Sequence, residues 1–138
     1  MGRAQGQLSH GIVILDPEGL NGFVNNDPRG AGLVRAAQSR DTSVAVSDLT
    51  LVEAWHPKVR MDRFRWHASR LEVPPVTEAI SWQAIDLLRN ADLHAHKYAI
   101  GSVVAATSLG CTGPRIIVTS DVDDIDELCG DRGRAVGV

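Results

Sequence analysis

Apolar positions along this chain alternate between short continuous runs and longer segments with helical spacing. The runs at 12–16 and 115–119 consist mostly of β-branched or other apolar residues, a length and composition typical of buried parallel strands. A shorter run at 43–47 and the last residues, 134–138, are also predicted to be strands. The segment 71–76 is predicted to be a short strand that its prolines confine to a sheet edge.

Segments with helical spacing separate these strands. The clearest covers 77–91, with Thr77 as its N-cap and apolar residues at three- and four-residue intervals. Asp16 and Pro17 mark another helix start, followed by a break at 25–28. The other predicted helices cover about 32–40, 49–55, 58–70, 97–109 and 122–129. Because strands alternate with helices, the sequence predicts one α/β/α domain with parallel strands and helices on both faces.

Length and composition narrow the class of protein. The chain has 138 residues and a net charge of −3, which suits a single domain over 11–138 and gives no overall attraction to nucleic acid or membranes. It shows neither a signal-like leader nor an apolar run of about 18 residues, so we expect a cytoplasmic protein without membrane contact. Cys111 and Cys129 have no metal-ligand spacing and are expected to be reduced thiols. Residues 1–10 are expected to form a flexible tail.

Each of the two longer apolar runs ends at an aspartate, Asp16 after the first and Asp121 after the second. Residues just past the carboxyl ends of strands line the functional crevice of an open α/β sheet, so we expect these carboxylates to converge. Convergent carboxylates repel each other and attract a divalent cation. Each aspartate also has a local alternative. Asp16 would cap the helix that Pro17 begins, and Asp121 stands with Asp124 in nearly a capping-box spacing.

A glutamate adds to this acidic set. On the predicted helix 49–55, Glu53 shares a face with Leu49 and Val52, which places it on the apolar stripe. A carboxylate on a buried stripe has to be paired, protonated or bound to a metal, and a nearby arginine is the alternative partner. Oxygen ligands without a histidine–cysteine cluster favour Mg²⁺ or Mn²⁺ over zinc. Such an ion would neutralise phosphate charge and activate a water molecule.

Four segments together resemble the PIN-domain ribonucleases, especially the VapC-type toxins of bacterial toxin–antitoxin pairs. They are IVILDPEGL at 12–20, SVAVSDLTLVEAWH at 43–56, HKYAIGSVVAAT at 96–107 and IIVTSDVDDIDEL at 116–128. They occur in the family's order and at family-like spacing. The resemblance implies a three-layer α/β/α fold with a five-stranded parallel sheet and an endoribonuclease that needs Mg²⁺ or Mn²⁺. It also implies an RNA substrate, a cognate antitoxin as partner and a homodimer as the usual unit.

The resemblance also implies roles for individual residues. Asp16 matches the acid at the end of the first strand, Glu53 the helical glutamate and Asp121 the aspartate after the fourth strand. These three are the predicted catalytic and metal-binding residues. Thr119 and Ser120 match hydroxyl residues that commonly flank this last aspartate.

One position departs from the family pattern. Where the family has an aspartate that is a principal metal ligand, this chain has Gly101. A glycine inside the predicted helix 97–109 also costs about 1 kcal/mol relative to alanine. Three explanations are open: a natural substitution that weakens or silences the site, an engineered one, or partial replacement by Ser102 or Asp124. We therefore expect weakened activity.

A basic helical segment is the predicted rim of the site. It contains Arg60, Arg63 and Arg65, with Phe64 and Trp66 among them. Such a segment can contact RNA phosphates and stack on bases, or it can contact the antitoxin. The alternative is a solvated helix face whose aromatic residues lie in the core or in a dimer interface.

Two other functions stay open. One is a catalytically silent PIN fold that binds its antitoxin or RNA. The other is a different Mg²⁺-dependent α/β domain, such as a phosphotransfer receiver or a phosphatase with Asp16 as its nucleophile. A receiver needs an acidic pair after its first strand and a lysine after its last, and no lysine follows Lys97 in this chain.

Overall fold

The computed structural model describes residues 11–111 and 113–138, in which strands and helices alternate. The predicted tail at 1–10 lies outside the described residues. The helix expected over 97–109 begins two residues earlier, and the basic segment is helical over a shorter range than 58–70. The elements are β1 (Ile12–Leu15), α1 (Pro17–Val24), α2 (Pro28–Ser39), β2 (Ser43–Val46), α3 (Asp48–Ala54), α4 (Met61–Ala68), α5 (Glu78–Ala91), α6 (Ala95–Leu109), β3 (Arg115–Thr119), α7 (Val122–Cys129) and β4 (Arg134–Gly137).

The sheet is parallel throughout, with the strand order β2-β1-β3-β4. Ile12 of β1 pairs with Ser43 on one side and with Arg115 on the other. All four residues of β1 and of β2 are buried, as expected for strands covered on both faces. The predicted parallel α/β sheet is therefore confirmed.

The predicted fifth strand does not form. At 71–76 the chain makes a single parallel bridge between Glu72 and Ala45, in which the N–H of Glu72 donates to Val44 at 2.9 Å. The ladder stops there because Pro74 and Pro75 have no N–H to donate. The five-stranded sheet is thus wrong, and the described residues form a sheet of four strands.

Side chains alternate between the two faces of the sheet and build two cores. Ile12, Ile14 and Ile117 face α5, α6 and α7, where Leu87 and Val104 are buried against them. The intervening strand residues face the other way and pack against α1, α2, α3 and α4. Three layers result, as predicted, with the carboxyl ends of β1 and β3 side by side. No helix in the described part of the chain combines the length and apolarity needed to cross a membrane.

Candidate functional site

A cavity of about 100 Å³ lies where β1 and β3 end, and we call it the acidic cavity. It is lined by carboxylates from three different elements and by the face of α6 that contains Gly101. The structure therefore brings together the three predicted acids, although they are far apart in sequence. The polar and charged residues that line it are Asp16, Glu53, Lys97, Tyr98, Thr119, Asp121 and Asp124.

Asp16 is buried and uses both carboxylate oxygens. Its Oδ1 accepts the N–H of Gly19 at 2.8 Å, and its Oδ2 accepts the N–H of Ser120 at 3.3 Å. The capping alternative is therefore confirmed for this residue, and the carboxylate still lines the cavity. Burial raises the pKa of Asp16 above its usual value, although hydrogen bonds from Gly19, Thr119 and Ser120 act to lower it.

The glycine after this cap explains how the two strand ends come together. A Cβ atom on Gly19 would lie 2.9 Å from the carbonyl oxygen of Val118, closer than a real Cβ approaches such an atom. Glycine thus lets the first turn of α1 pack against the end of β3. The backbone N–H of Asp16 donates to the same carbonyl at 3.0 Å, which fixes β1 beside β3 at this point.

Thr119 connects the two aspartates. Its buried hydroxyl hydrogen-bonds to the carboxylate of Asp16, and its Oγ1 accepts the N–H of Asp121 at 2.9 Å. Asp121 precedes α7, but its side chain makes no capping hydrogen bond, so the capping alternative is wrong for it. The exposed carboxylate of Asp121 is thereby left to the cavity. Ser120 contributes its backbone N–H to the site, and Asp124 lies half-buried on the cavity wall.

Glu53 shares a helix face with Leu49 and Val52, as predicted, but that face is exposed and not buried. Leu49 and Val52 are 36% and 72% exposed, whereas Thr50 and Ala54 are the buried residues of α3. The apolar stripe that was expected to bury Glu53 is therefore a solvent-facing stripe, and that prediction is wrong. No arginine in residues 11–111 and 113–138 forms an ion pair with Glu53.

The electrostatics of Glu53 reflect the acids around it. Partial desolvation raises the pKa of Glu53, and the charges of Asp16, Glu18 and Asp121 raise it further. The acidic cavity thus concentrates negative charge that the described residues leave largely unneutralised. Among the described residues that line it, Lys97 is the one that is basic.

Sequence reasoning did not identify Lys97 as a site residue. It lies four residues before Gly101 on α6, so the two share a helix face. That spacing was the available signal, because any residue one turn from the position of a family ligand faces the same site. Tyr98, whose ring the Lys97 ammonium approaches at 5.2 Å, also lines the cavity.

Gly101 occupies the cavity wall without interrupting α6. A Cβ atom built there would lie 3.8 Å from Leu128 and 4.0 Å from Ile125, which is ordinary van der Waals contact. The position therefore accommodates the start of a longer side chain. Ser102 is buried, and its hydroxyl donates to the carbonyl of Ala99 at 2.7 Å, so it does not replace the missing carboxylate.

The carboxylate oxygens of this cavity fit a hard divalent cation in chemical type. In the described ranges no three side chains of His, Cys, Asp or Glu stand close enough to hold one ion together. Mg²⁺ is usually bound by only one or two carboxylates, with waters and substrate phosphate as its other ligands. One or two of Asp16, Glu53 and Asp121 would therefore bind a Mg²⁺ or Mn²⁺ ion directly, with waters and substrate phosphate as its other ligands.

The raised pKa of Glu53, caused by desolvation and by the neighbouring acids, has a measurable consequence for stability. The pKa of Glu53 is higher in the folded chain than in the unfolded one. In the pH interval between these two pKa values, the folded state therefore binds more protons than the unfolded state does. The free energy of unfolding therefore falls as the pH rises through this interval. In EDTA at pH 7, we expect Glu53→Gln to raise the melting temperature by about 1–3 °C, and to lose this advantage near pH 4.

Thermal melts from pH 4 to pH 8 measure this effect. Glu127→Gln, an exposed glutamate of α7 outside the cavity, is the matched control and should leave the melting curve unchanged. A melting temperature for Glu53→Gln equal to that of the wild type at every pH would show that the acids do not repel one another.

The predicted basic rim is only partly available for contacts. Arg60 pairs with Asp62 at 3.2 Å on the surface, and Arg63 donates to the carbonyl of Val24 at 2.7 Å. Arg65 is exposed, and none of the three arginines lines the acidic cavity. Phe64 is buried in the core, which confirms the alternative interpretation for that residue.

Comparison with known proteins supports the fold. No protein-family model matches the chain, and no curated protein does. A solved structure is similar: the crystal structure of VapBC2 from Rickettsia felis bound to a DNA fragment from their promoter. The match has a TM-score of 0.67 and 15% sequence identity, and it covers 92% of this chain and 98% of the matched chain. At this identity the match shows that the chain is similar in fold to a VapBC2 chain, in agreement with the PIN-like architecture.

Proposed function

We propose that this protein is a metal-dependent endoribonuclease of the VapC type that hydrolyses phosphodiester bonds of single-stranded RNA. One observation carries the proposal: Asp16, Glu53 and Asp121 line one cavity at the carboxyl ends of two parallel strands. The raised pKa of Glu53 adds support: desolvation is its main cause, and the charges of Asp16, Glu18 and Asp121, which a cation would neutralise, raise it further. The fold similarity to VapBC2 is consistent with this assignment.

In the proposed reaction, Asp16, Glu53 and Asp121 would hold a Mg²⁺ or Mn²⁺ ion, one or two of them directly and the others through bound water. When bound, the ion lowers the pKa of a water and neutralises charge on the phosphate. Thr119 keeps the carboxylate of Asp16 and the backbone of Asp121 in fixed positions, so the ligands need little reorganisation. The Lys97 ammonium, which also lines the cavity, would contact a phosphate oxygen, and Asp124 would accept a hydrogen bond from water.

We further propose that activity is weak because Gly101 supplies no carboxylate. The second candidate function, a silent PIN fold that binds RNA or an antitoxin, is favoured by this same residue. The two candidates differ in whether the chain turns over substrate.

Cleavage assays distinguish them. With a labelled single-stranded RNA and excess protein, we expect slow cleavage in Mn²⁺ and none in EDTA. Cleavage that persists in EDTA would contradict the metal mechanism. If RNA stays intact in Mn²⁺ with both the wild type and the Gly101→Asp variant, the result would favour the catalytically silent PIN fold.

The partners and the location are further parts of the proposal. The similar solved structure is of VapBC2, which supports a cognate antitoxin. The exposed side chains of Leu49, Val52 and Trp55 provide apolar surface that a second copy would cover in a homodimer. The cytoplasmic location stays a prediction.

A further inference from the structure

A second, basic cavity lies beside the acidic one. It has a volume of about 150 Å³ and is formed by the second half of α1, the turn after α3 and the start of α4. None of its described lining residues is acidic. Its polar and charged lining consists of Asn21, Asn25, His56, Lys58, Arg60 and Arg63.

Two elements run from the acidic cavity into this basic cavity. Pro17 lines the acidic cavity, and Asn21, one turn later on α1, lines the basic one. Glu53 lines the acidic cavity, and His56, three residues later, lines the basic one. On α1 one helical turn advances about 5.4 Å, and His56 follows Glu53 closely in the chain just after α3 ends, so the two cavities are close neighbours.

The donors in the basic cavity suit a phosphate. The Nδ1 atom of His56 accepts the N–H of Lys58 at 3.2 Å, so the neutral ring carries its proton on Nε2, as a donor. Arg63 uses Nη2 on the Val24 carbonyl and retains its other N–H groups. Lys58 and Arg60 are exposed, and the partner of Arg60, Asp62, is a surface residue that does not line the cavity.

We propose that this basic cavity binds a backbone phosphate of single-stranded RNA next to the phosphate that lies in the acidic cavity. The inference rests on the proposed function and names how its substrate is held. Phosphates recur along a strand, so a strand with one phosphate at Asp16 places another beside α1. Lys58 and Arg60 supply the charge, whereas His56 and Asn21 supply hydrogen-bond donors.

The test measures RNA binding without cleavage. Fluorescence anisotropy with a labelled 12-nucleotide single-stranded RNA in EDTA, repeated from 50 to 300 mM NaCl, gives both the affinity and its salt dependence. The double variant Lys58→Gln/Arg60→Gln should bind about tenfold more weakly. Its slope of log K against log salt should fall by about 0.7 for the lost phosphate.

Arg89→Gln is the matched control. Arg89 is exposed on α5 and pairs with Asp86 at 3.7 Å, as Arg60 pairs with Asp62, but it lines neither cavity. It should leave both affinity and slope unchanged. A single-stranded DNA of the same sequence should show the same relative loss in the double variant, because the phosphate is common to both.

Several outcomes would overturn the inference. The first is a double variant with wild-type affinity and slope, and the second is a wild type that does not bind RNA. The third is a loss confined to RNA, which would assign the contact to the ribose hydroxyl. The fourth is binding of polyglutamate in place of RNA, which would assign the cavity to an acidic peptide.

The proposed function is judged separately, by cleavage in Mn²⁺. Weaker RNA binding by the double variant without any metal-dependent cleavage would contradict the nuclease and keep the phosphate site. If the double variant binds RNA as tightly as the wild type does, and the wild type cleaves RNA in Mn²⁺, the phosphate site would be contradicted and the nuclease would be kept.

Discussion

Replacing Gly101 with aspartate is expected to raise metal-dependent RNA cleavage about a hundredfold. The new Cβ meets only ordinary contacts with Leu128 and Ile125, and the position lines the cavity that contains Asp16 and Asp121. Loss of even an indirect contact to a metal typically costs 10- to 100-fold in affinity or activity, roughly, so a restored direct ligand should have at least that effect.

The same variant has a thermodynamic readout that does not depend on activity. At a Mn²⁺ concentration about 100 times its dissociation constant, the aspartate variant should gain about 2.7 kcal/mol in free energy of unfolding. A wild type that binds a hundredfold more weakly would gain only about 0.4 kcal/mol. In EDTA the aspartate variant should be no more stable than the wild type, or less stable, because the added carboxylate joins an already acidic cavity.

Two control variants isolate the role of the carboxylate at this position. Gly101→Asn adds a side chain of the same shape without charge and should respond to Mn²⁺ no more strongly than the wild type does. Gly32→Asp places an aspartate on α2, where the added Cβ meets nothing within 4 Å, and it should behave like the wild type. The missing-ligand explanation is wrong if Gly101→Asp leaves both the Mn²⁺-dependent stabilisation and the cleavage rate at wild-type levels.

Replacing Asp16 with asparagine is expected to abolish metal-dependent cleavage, a loss of at least about a hundredfold. The change should be made in the wild type and in the Gly101→Asp background, where activity is easier to measure. Asparagine also caps helices well, so its Oδ1 can still accept the N–H of Gly19. The amide NH₂ that replaces Oδ2 cannot accept the N–H of Ser120, so the free energy of unfolding should fall by about 1–3 kcal/mol, and loss of the buried charge offsets part of this fall.

A matched cap variant tests whether this loss comes from the site or from the fold. Asp27 caps α2 with a hydrogen bond of 3.0 Å from the N–H of Arg29, and it does not line the acidic cavity. Asp27→Asn should therefore retain cleavage. Metal-dependent cleavage by Asp16→Asn at the wild-type rate would remove this carboxylate from the proposed mechanism.

The sequence predicted the elements on which this site depends, because the signals for them are local. Local sequence alone identifies the apolar runs of β1 and β3 and the helix start at Asp16-Pro17, without knowledge of tertiary contacts. Since strands alternate with helices, their carboxyl ends had to face the same edge, and Asp16 and Asp121 came together as predicted.

The errors concern features that tertiary packing decides. The apolar residues of α3 suggested a buried stripe, but the short helix buries Thr50 and Ala54 and leaves Val52 in solvent. The prediction of a fifth strand was wrong because the hydrophobic pattern does not show that two successive prolines limit the hydrogen-bonded ladder to a single bridge. Lys97 was missed because an exposed lysine is common on helix surfaces, and its one-turn spacing from Gly101 was the single signal that distinguished it.

The two prolines beside β2 also affect how copies of this protein can associate. Sheets with open edges risk pairing with strands of other molecules during folding, and parallel sheets fold slowly enough to make this a hazard. At this edge an incoming strand would meet Pro74 and Pro75, which offer carbonyl groups but no N–H to pair with. Continuous sheet extension across this edge is therefore blocked. Contacts between copies on this side would therefore depend on side chains, and strand-to-strand aggregation at this edge is disfavoured.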